Sequence, residues 1–262
     1  MQTGQAIGQT DRRKINHHHF QPPLGRKGYH QNCSADVVAA FRLLVWYQSR
    51  ALTPDLLSAT LPVAMALLQI FAKPPEEGKV KTRLIPDLGK AKATKVYRHC
   101  LRYTLNLAQQ STFDYQLWLG ENSNNLFFAA EQYKLQQGDD LGQRMHHALS
   151  QGLAESDAVL LIGSDCLDLT ANHLTLAAEA LIDNDLVLLP TFDGGFAMIG
   201  CRKINASLFS GVQWSSEHVL AQTLNNASKI NYRVHLLETV RDIDTLSDLN
   251  HYPELRALVT QN

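Results

Sequence analysis

From Ala66 onward, short apolar runs alternate with longer stretches in which apolar residues return every three or four positions. The runs Ala66–Ala72, Tyr115–Leu119, Ala158–Ile162, Leu186–Pro190, Phe196–Cys201 and Arg233–Leu237 predict strands, each bounded by polar or turn-forming residues. Ala158–Ile162 is apolar at every position, the signature of a strand covered on both faces. The helical period predicts helices over Lys90–Gln109, with Val96, Cys100, Tyr103 and Leu107 on one face, over Leu141–Leu153 and Ala171–Ile182, after Trp214, and at the C-terminus. Strands alternating with helices of this length make a three-layer α/β/α domain with a mainly parallel central sheet. In such sheets ligands sit at the carboxyl ends of the strands, so the chemistry is expected in the loops there.

Residues 1–62 break the pattern. They are Gln-rich, carry His17, His18 and His19 in a row, and place turn formers at Pro22, Pro23 and Gly25. They predict a mostly disordered extension with one short helix, Ala35–Ser49, ahead of a domain over 63–262. With 45% hydrophobic and 19% charged residues among 262, the chain can bury a core of ordinary size. The four cysteines show no metal-binding spacing and fit a reduced, cytoplasmic setting. Val37–Trp46 is too short to span a bilayer, which takes about 20 apolar residues.

The formal net charge of -1 conceals an asymmetry. Lys73–Arg102 holds nine basic residues against three acidic, whereas Tyr103 to the end holds eight against nineteen. A basic segment confined to one loop and its helix suits a small phosphorylated ligand rather than nucleic acid, which requires a basic face. The loop Lys73-Pro-Pro-Glu-Glu-Gly78-Lys-Val-Lys81-Thr-Arg83-Leu84 offers point charges, a two-pronged donor and a glycine for close approach, without the spacing of a P-loop. It also reads as a solvated charged loop.

Three further loops carry carboxylates. Asp165, just past the strongest strand, points into the crevice and is the first candidate for a divalent metal, while Asp168 and Thr170 suit the cap of the following helix. Cys166 has no activating base in view. Asp193-Gly194-Gly195 reads either as a hairpin turn or as an acceptor loop in which Asp193 orients a hydroxyl or acts as base. In Arg241-Asp242-Ile243-Asp244-Thr245 the two carboxylates either complete a metal site or, for Asp244, cap a helix.

Taken in order, six segments resemble the radical-SAM/selenodomain-associated transferases, bacterial nucleotide-diphospho-sugar transferase-like proteins of GT-A fold. The segments are Phe71–Pro74 with Gly78–Leu84, Gly138–Met145 (GDDLGQRM), Gly163–Cys166, Asp193–Phe196 with Ile199-Gly200, Trp214–Ser216, and Asp242–Thr245. The first also looks like the loop of phospholactate guanylyltransferase, and the molybdenum-cofactor guanylyltransferases are further relatives of that fold. Departures are Leu167 where the family has proline, and Ser215-Ser216 where it has a small residue and threonine. The resemblance implies a nucleotide-binding half with Lys73, Gly78, Lys81, Arg83 and Arg144 on the phosphates. It also implies Mg²⁺ or Mn²⁺ on Asp165 with Asp242 or Asp244, and an acceptor region around Asp193, Gly194, Gly195 and Trp214. The expected activity is a metal-dependent glycosyl transfer from a nucleoside diphosphate sugar to an unspecified acceptor. The alternatives are nucleotidyl transfer with pyrophosphate as product, and a nucleotide-binding protein without turnover.

Overall fold

The computed structural model describes residues 66–129 and 131–260, so the expectations for residues 1–62 and the Ala35–Ser49 helix lie outside the described residues. Among the described residues seven strands form one sheet: β1 (Ala66–Ala72), β2 (Tyr115–Leu119), β3 (Tyr133–Leu135), β4 (Ala158–Ile162), β5 (Leu186–Pro190), β6 (Phe196–Cys201) and β7 (Val234–Leu236). Their order is β3-β2-β1-β4-β6-β5-β7. β6 alone runs against its neighbours β4 and β5, and the other pairings are parallel. The central registers, Ile70 opposite Leu117 on one side and Ile162 on the other, bring the ends of β1, β2 and β4 to one edge.

Among the described residues four helices cover the sheet, α1 (Ile85–Gln110), α2 (Leu141–Leu153), α3 (Ala171–Ala180) and α4 (Val219–Lys229), and a fifth, α5 (Pro253–Thr260), packs on α1. Alternate strand residues serve opposite faces. Leu68, Ile70, Leu160, Ile162, Val187 and Leu189 pack against Tyr97, Leu101 and Leu105 of α1 and against Leu174 and Ala177 of α3. Leu67, Phe71, Val159, Leu161, Leu186 and Leu188 pack against Met145, Ala148 and Leu149 of α2 and against Ala227 of α4. Two covered faces explain why β4, β5 and β6 carry no polar side chain. A third cluster joins Val96 and Cys100 of α1 to Leu255 and Val259 of α5, with Leu84 and Ile243 between them.

The differences from the expected elements are local. α1 begins at Ile85 but breaks at Gly89 (φ 78°), so regular helix starts at the expected Lys90. Its buried face is rotated toward Tyr97, Leu101 and Leu105, because it must serve both the sheet and α5, and Tyr103 lies at the margin with its hydroxyl on the Leu169 carbonyl (2.9 Å). β3, three residues long, is too short to show a period and owes its existence to pairing with β2. Asp168 does not cap α3. Thr170 takes that place in a capping box with His173, and the Asp168 carboxylate is engaged elsewhere. Among the described residues no helix is long and apolar enough to cross a membrane.

Candidate active site at the carboxyl edge of the sheet

The loop after β1 turns sharply. Gly78 sits at φ 84°, and Lys81 adopts the left-handed region (φ 46°) before a 3-10 turn over Thr82–Leu84. That turn directs the Lys81 side chain inward, where it is only 4% exposed and bonds Asp165 Oδ2 at 3.0 Å and the Ile243 carbonyl. Burial is the strongest single influence and works against its charge, but the Asp165 carboxylate, with smaller contributions from other acidic groups including Asp244, outweighs it and the ammonium is held above its ordinary pKa. Lys81 is thus a fixed counterion beneath the crevice, not the exposed loop cation its setting in the sequence suggested. Arg83, two residues on, is 55% exposed and pairs with Asp244, with a second nitrogen 3.5 Å from the Ser215 carbonyl. Lys79 stays on the rim between Glu76 (2.8 Å) and Glu121 (3.2 Å).

The exits of β1 and β4 are pinned together by Tyr97. Its hydroxyl accepts from the Lys73 N–H (2.8 Å) and lies 3.1 Å from both the Lys73 carbonyl and Ser164 Oγ. Burial pushes this phenol up to about 12, so it remains a neutral donor. The Lys73 side chain is exposed at this mouth. Nothing in the sequence separates Tyr97 from any other helix aromatic; only its place at the strand exits does.

The Asp242 carboxylate lies within electrostatic reach of both Asp165 and Asp193. Desolvation first, and then the charges of Asp193 and Asp165, push the Asp242 carboxyl up to about 6. Asp193 is exposed at the tip of the β5–β6 hairpin, where its Oδ1 accepts from Thr191 Oγ1 (2.5 Å) and Gly195 N (3.0 Å). The turn and the acceptor-loop roles are therefore compatible: one oxygen closes the turn, and the group still faces the crevice charges. Asp244 is not a helix cap. It pairs with Arg83, and Asp248 closes the following turn through the Asp244 and Thr245 amides.

Gly194 (φ 86°) lies so close to the Trp214–Glu217 segment that a Cβ there would stand 2.2 Å from the Glu217 carbonyl oxygen. Leu220 N–H donates to its carbonyl (2.9 Å), so hairpin and segment form one wall. The Trp214 ring packs on Phe209 and over Gly142, and the Ser216 hydroxyl bonds the Gln213 carbonyl (2.6 Å). Arg144 folds back at the start of α2 onto the Gly138 carbonyl (3.0 Å), apart from the carboxylate cluster in its bonding. Cys166 is inert, its thiol pushed up to about 12 by burial and placed on the Arg241 carbonyl. A groove of about 580 Å³ between Asp140, His146, Phe209 and Gly211 contains none of Lys81, Asp165 or Asp242, so volume alone does not mark the chemistry.

Asp165 and Asp242 supply two carboxylates of the hard-oxygen type, with more negative charge around them than Lys81 neutralises. Among the described residues no three ligating side chains form a ready metal cage. Mg²⁺ and Mn²⁺ in phosphate-handling sites do not need one, since one or two carboxylates plus substrate phosphates and water complete the shell. The donor set therefore fits such an ion.

Residues 97–216 match the family described as "Uncharacterized protein conserved in bacteria (DUF2064)". The chain is similar to a candidate nucleotide-diphospho-sugar transferase from Desulfovibrio desulfuricans G20, with 30% identity over 76% of this chain and 98% of that one, at a TM-score of 0.69. It also shares its fold with 4-diphosphocytidyl-2C-methyl-D-erythritol synthase from Anaerococcus prevotii DSM 20548, at 11% identity, 76% and 97% coverage and a TM-score of 0.50. No curated protein matches the chain significantly.

Proposed function

The chain belongs to the DUF2064 family and shares the fold of the Desulfovibrio desulfuricans protein, and from that premise we propose that it is a metal-dependent transferase acting on a nucleoside diphosphate sugar. The observation that carries this reading is the Asp165 carboxylate bonded to the buried Lys81 at the carboxyl edge of the sheet, with Asp242 within electrostatic reach of both Asp165 and Asp193. Asp165 and Asp242 would hold Mg²⁺ or Mn²⁺, which supplies charge stabilisation of the departing nucleoside diphosphate. Asp244, which the sequence offered as the alternative ligand, is committed to Arg83. Lys73 and Arg83, exposed on the mouth, approach the phosphates, and Gly78 lets the backbone come close. Lys81 contributes by fixing Asp165. Arg144 would reach the nucleotide only by leaving the Gly138 carbonyl.

On the other wall, Gly194, Gly195 and Trp214 shape the acceptor side. Asp193 takes the proton of the incoming hydroxyl, its carboxylate oriented by Thr191 and Gly195. The test is a melting-temperature panel of nucleotides and nucleotide sugars with and without Mn²⁺, followed by product analysis of the best ligand. A ligand at a hundred times its dissociation constant adds about 2.7 kcal/mol of stability. Metal-dependent release of nucleoside diphosphate supports the reading; pyrophosphate as product overturns it in favour of nucleotidyl transfer, and binding without turnover in favour of a non-catalytic role.

A further inference from the structure

The segment that carries Asp242 belongs to no helix or strand. After β7 it touches the sheet through the Thr191–Val240 bridge, and then runs free of regular pairing until the 3-10 turn at Asp248–His251. Its position is set from outside. Asp168 Oδ2 accepts the Arg241 amide at 3.0 Å, and Asp168 Oδ1 accepts the Tyr252 hydroxyl at 2.9 Å. The same hydroxyl lies 3.2 Å from the Arg241 carbonyl. One residue further, the Ile243 amide donates to the Asp165 carbonyl at 3.1 Å. Asp242 is thus bracketed by two residues whose backbones are fastened to the Asp165–Asp168 loop.

A tyrosine has one proton to give, and the charged carboxylate is the stronger acceptor, so Asp168 takes it. Burial and the adjacent Asp168 charge keep that phenol protonated well above its ordinary range. Tyr252 in turn is anchored in the cluster that unites α1 and α5. Asp168 is not needed to cap α3, where Thr170 and His173 close the helix start.

We propose that Tyr252 and Asp168 are positioning residues, a clasp that holds Asp242 in register with Asp165 while touching neither metal nor nucleotide. This rests on the site reading above, with Asp165 and Asp242 as the ion's ligands. It makes the residue that leads into the C-terminal helix part of what forms the ion site.

The experiment titrates Mn²⁺ alone against the full chain, followed by electron paramagnetic resonance well below the melting temperature, for wild type, Tyr252→Phe, Asp168→Ala and the double variant. Each single change is expected to weaken Mn²⁺ about tenfold or more, the range seen when groups supporting a ligand are removed. The double variant should lose little beyond either single change, because both cut one clasp. Unchanged affinity in folded Tyr252→Phe, or losses that simply multiply, would overturn the proposal. Amide exchange gives a readout that needs no metal: the amides of Arg241 and Ile243 should exchange about tenfold faster in Tyr252→Phe, with Ile199 in β6 unaltered. If the wild type binds no Mn²⁺, the ligand assignment fails, and unchanged exchange at Arg241 and Ile243 then sinks the clasp as well.

Discussion

The two walls of the crevice are held by different means. On the β1–β4 side, side chains from distant segments are locked below the surface: Lys81 between Asp165 and Ile243, and Tyr97 between Lys73 and Ser164. On the β5–β6 side, the hairpin tip holds Asp193 by bonds within five residues, and contact with the Trp214 segment depends on the absence of a side chain at Gly194. Charge fixes one wall and close backbone packing fixes the other. A fixed charge positions a group even where the surroundings are loose, whereas a close approach tolerates nothing larger.

The strongest way to break the second wall is Gly194→Ala. It forces a β-carbon into the left-handed region and onto the Glu217 carbonyl, so we expect a loss of about 3 kcal/mol in urea unfolding. A near-neutral result would mean that the Trp214 segment is free to move away. On the first wall, Lys81→Met should cost about 2–3 kcal/mol, since it strands a charge-assisted hydrogen bond at Asp165 and a backbone carbonyl at Ile243. That figure stays below the cost of splitting a fully buried pair because Asp165 is 45% exposed.

Asp242 sharpens the comparison through pH. Its carboxyl is pushed up to about 6 when folded, against 3.8 ordinarily. As pH rises the unfolded chain releases its proton first, so the penalty on folding is absent below about pH 4, grows to pH 6 and is complete above it. Asp242→Asn should therefore gain about 2 kcal/mol at about pH 7.5 and nothing at about pH 4, measured as paired melting curves. An equal gain at both pH values would show that packing, not charge, is relieved. The smallest stability effect belongs to Arg83→Ala. This exposed pair should contribute less than about 1 kcal/mol, while nucleotide affinity falls roughly tenfold by calorimetry. The ratio of the two effects separates Arg83 from Lys81, whose replacement should act on stability first.

Much of the architecture was legible before any coordinates. The runs at Ala158–Ile162 and Leu186–Pro190 are strands as read, because a strand buried on both faces has no polar alternative. The carboxyl-edge loops were equally visible, since Asp165 follows the β4 strand and Asp193-Gly194 carries a turn signal. What the sequence did not disclose is which charges meet. Lys81 and Arg83 are two residues apart in one loop, and only the left-handed turn at Lys81 sends one inward to Asp165 and leaves the other at the surface with Asp244.

The local pattern of apolar residues determined every strand but β3, the helices and the edge at which chemistry collects, because those follow from periodicity within a dozen neighbours. Tertiary structure alone decided that Asp168 serves Arg241 and Tyr252 rather than α3, and that Asp242 lies near Asp193 and Asp165. These partners are separated by tens of residues along the chain, and hydrogen bonds and charges act over ångströms of space, which the spacing of a sequence does not encode.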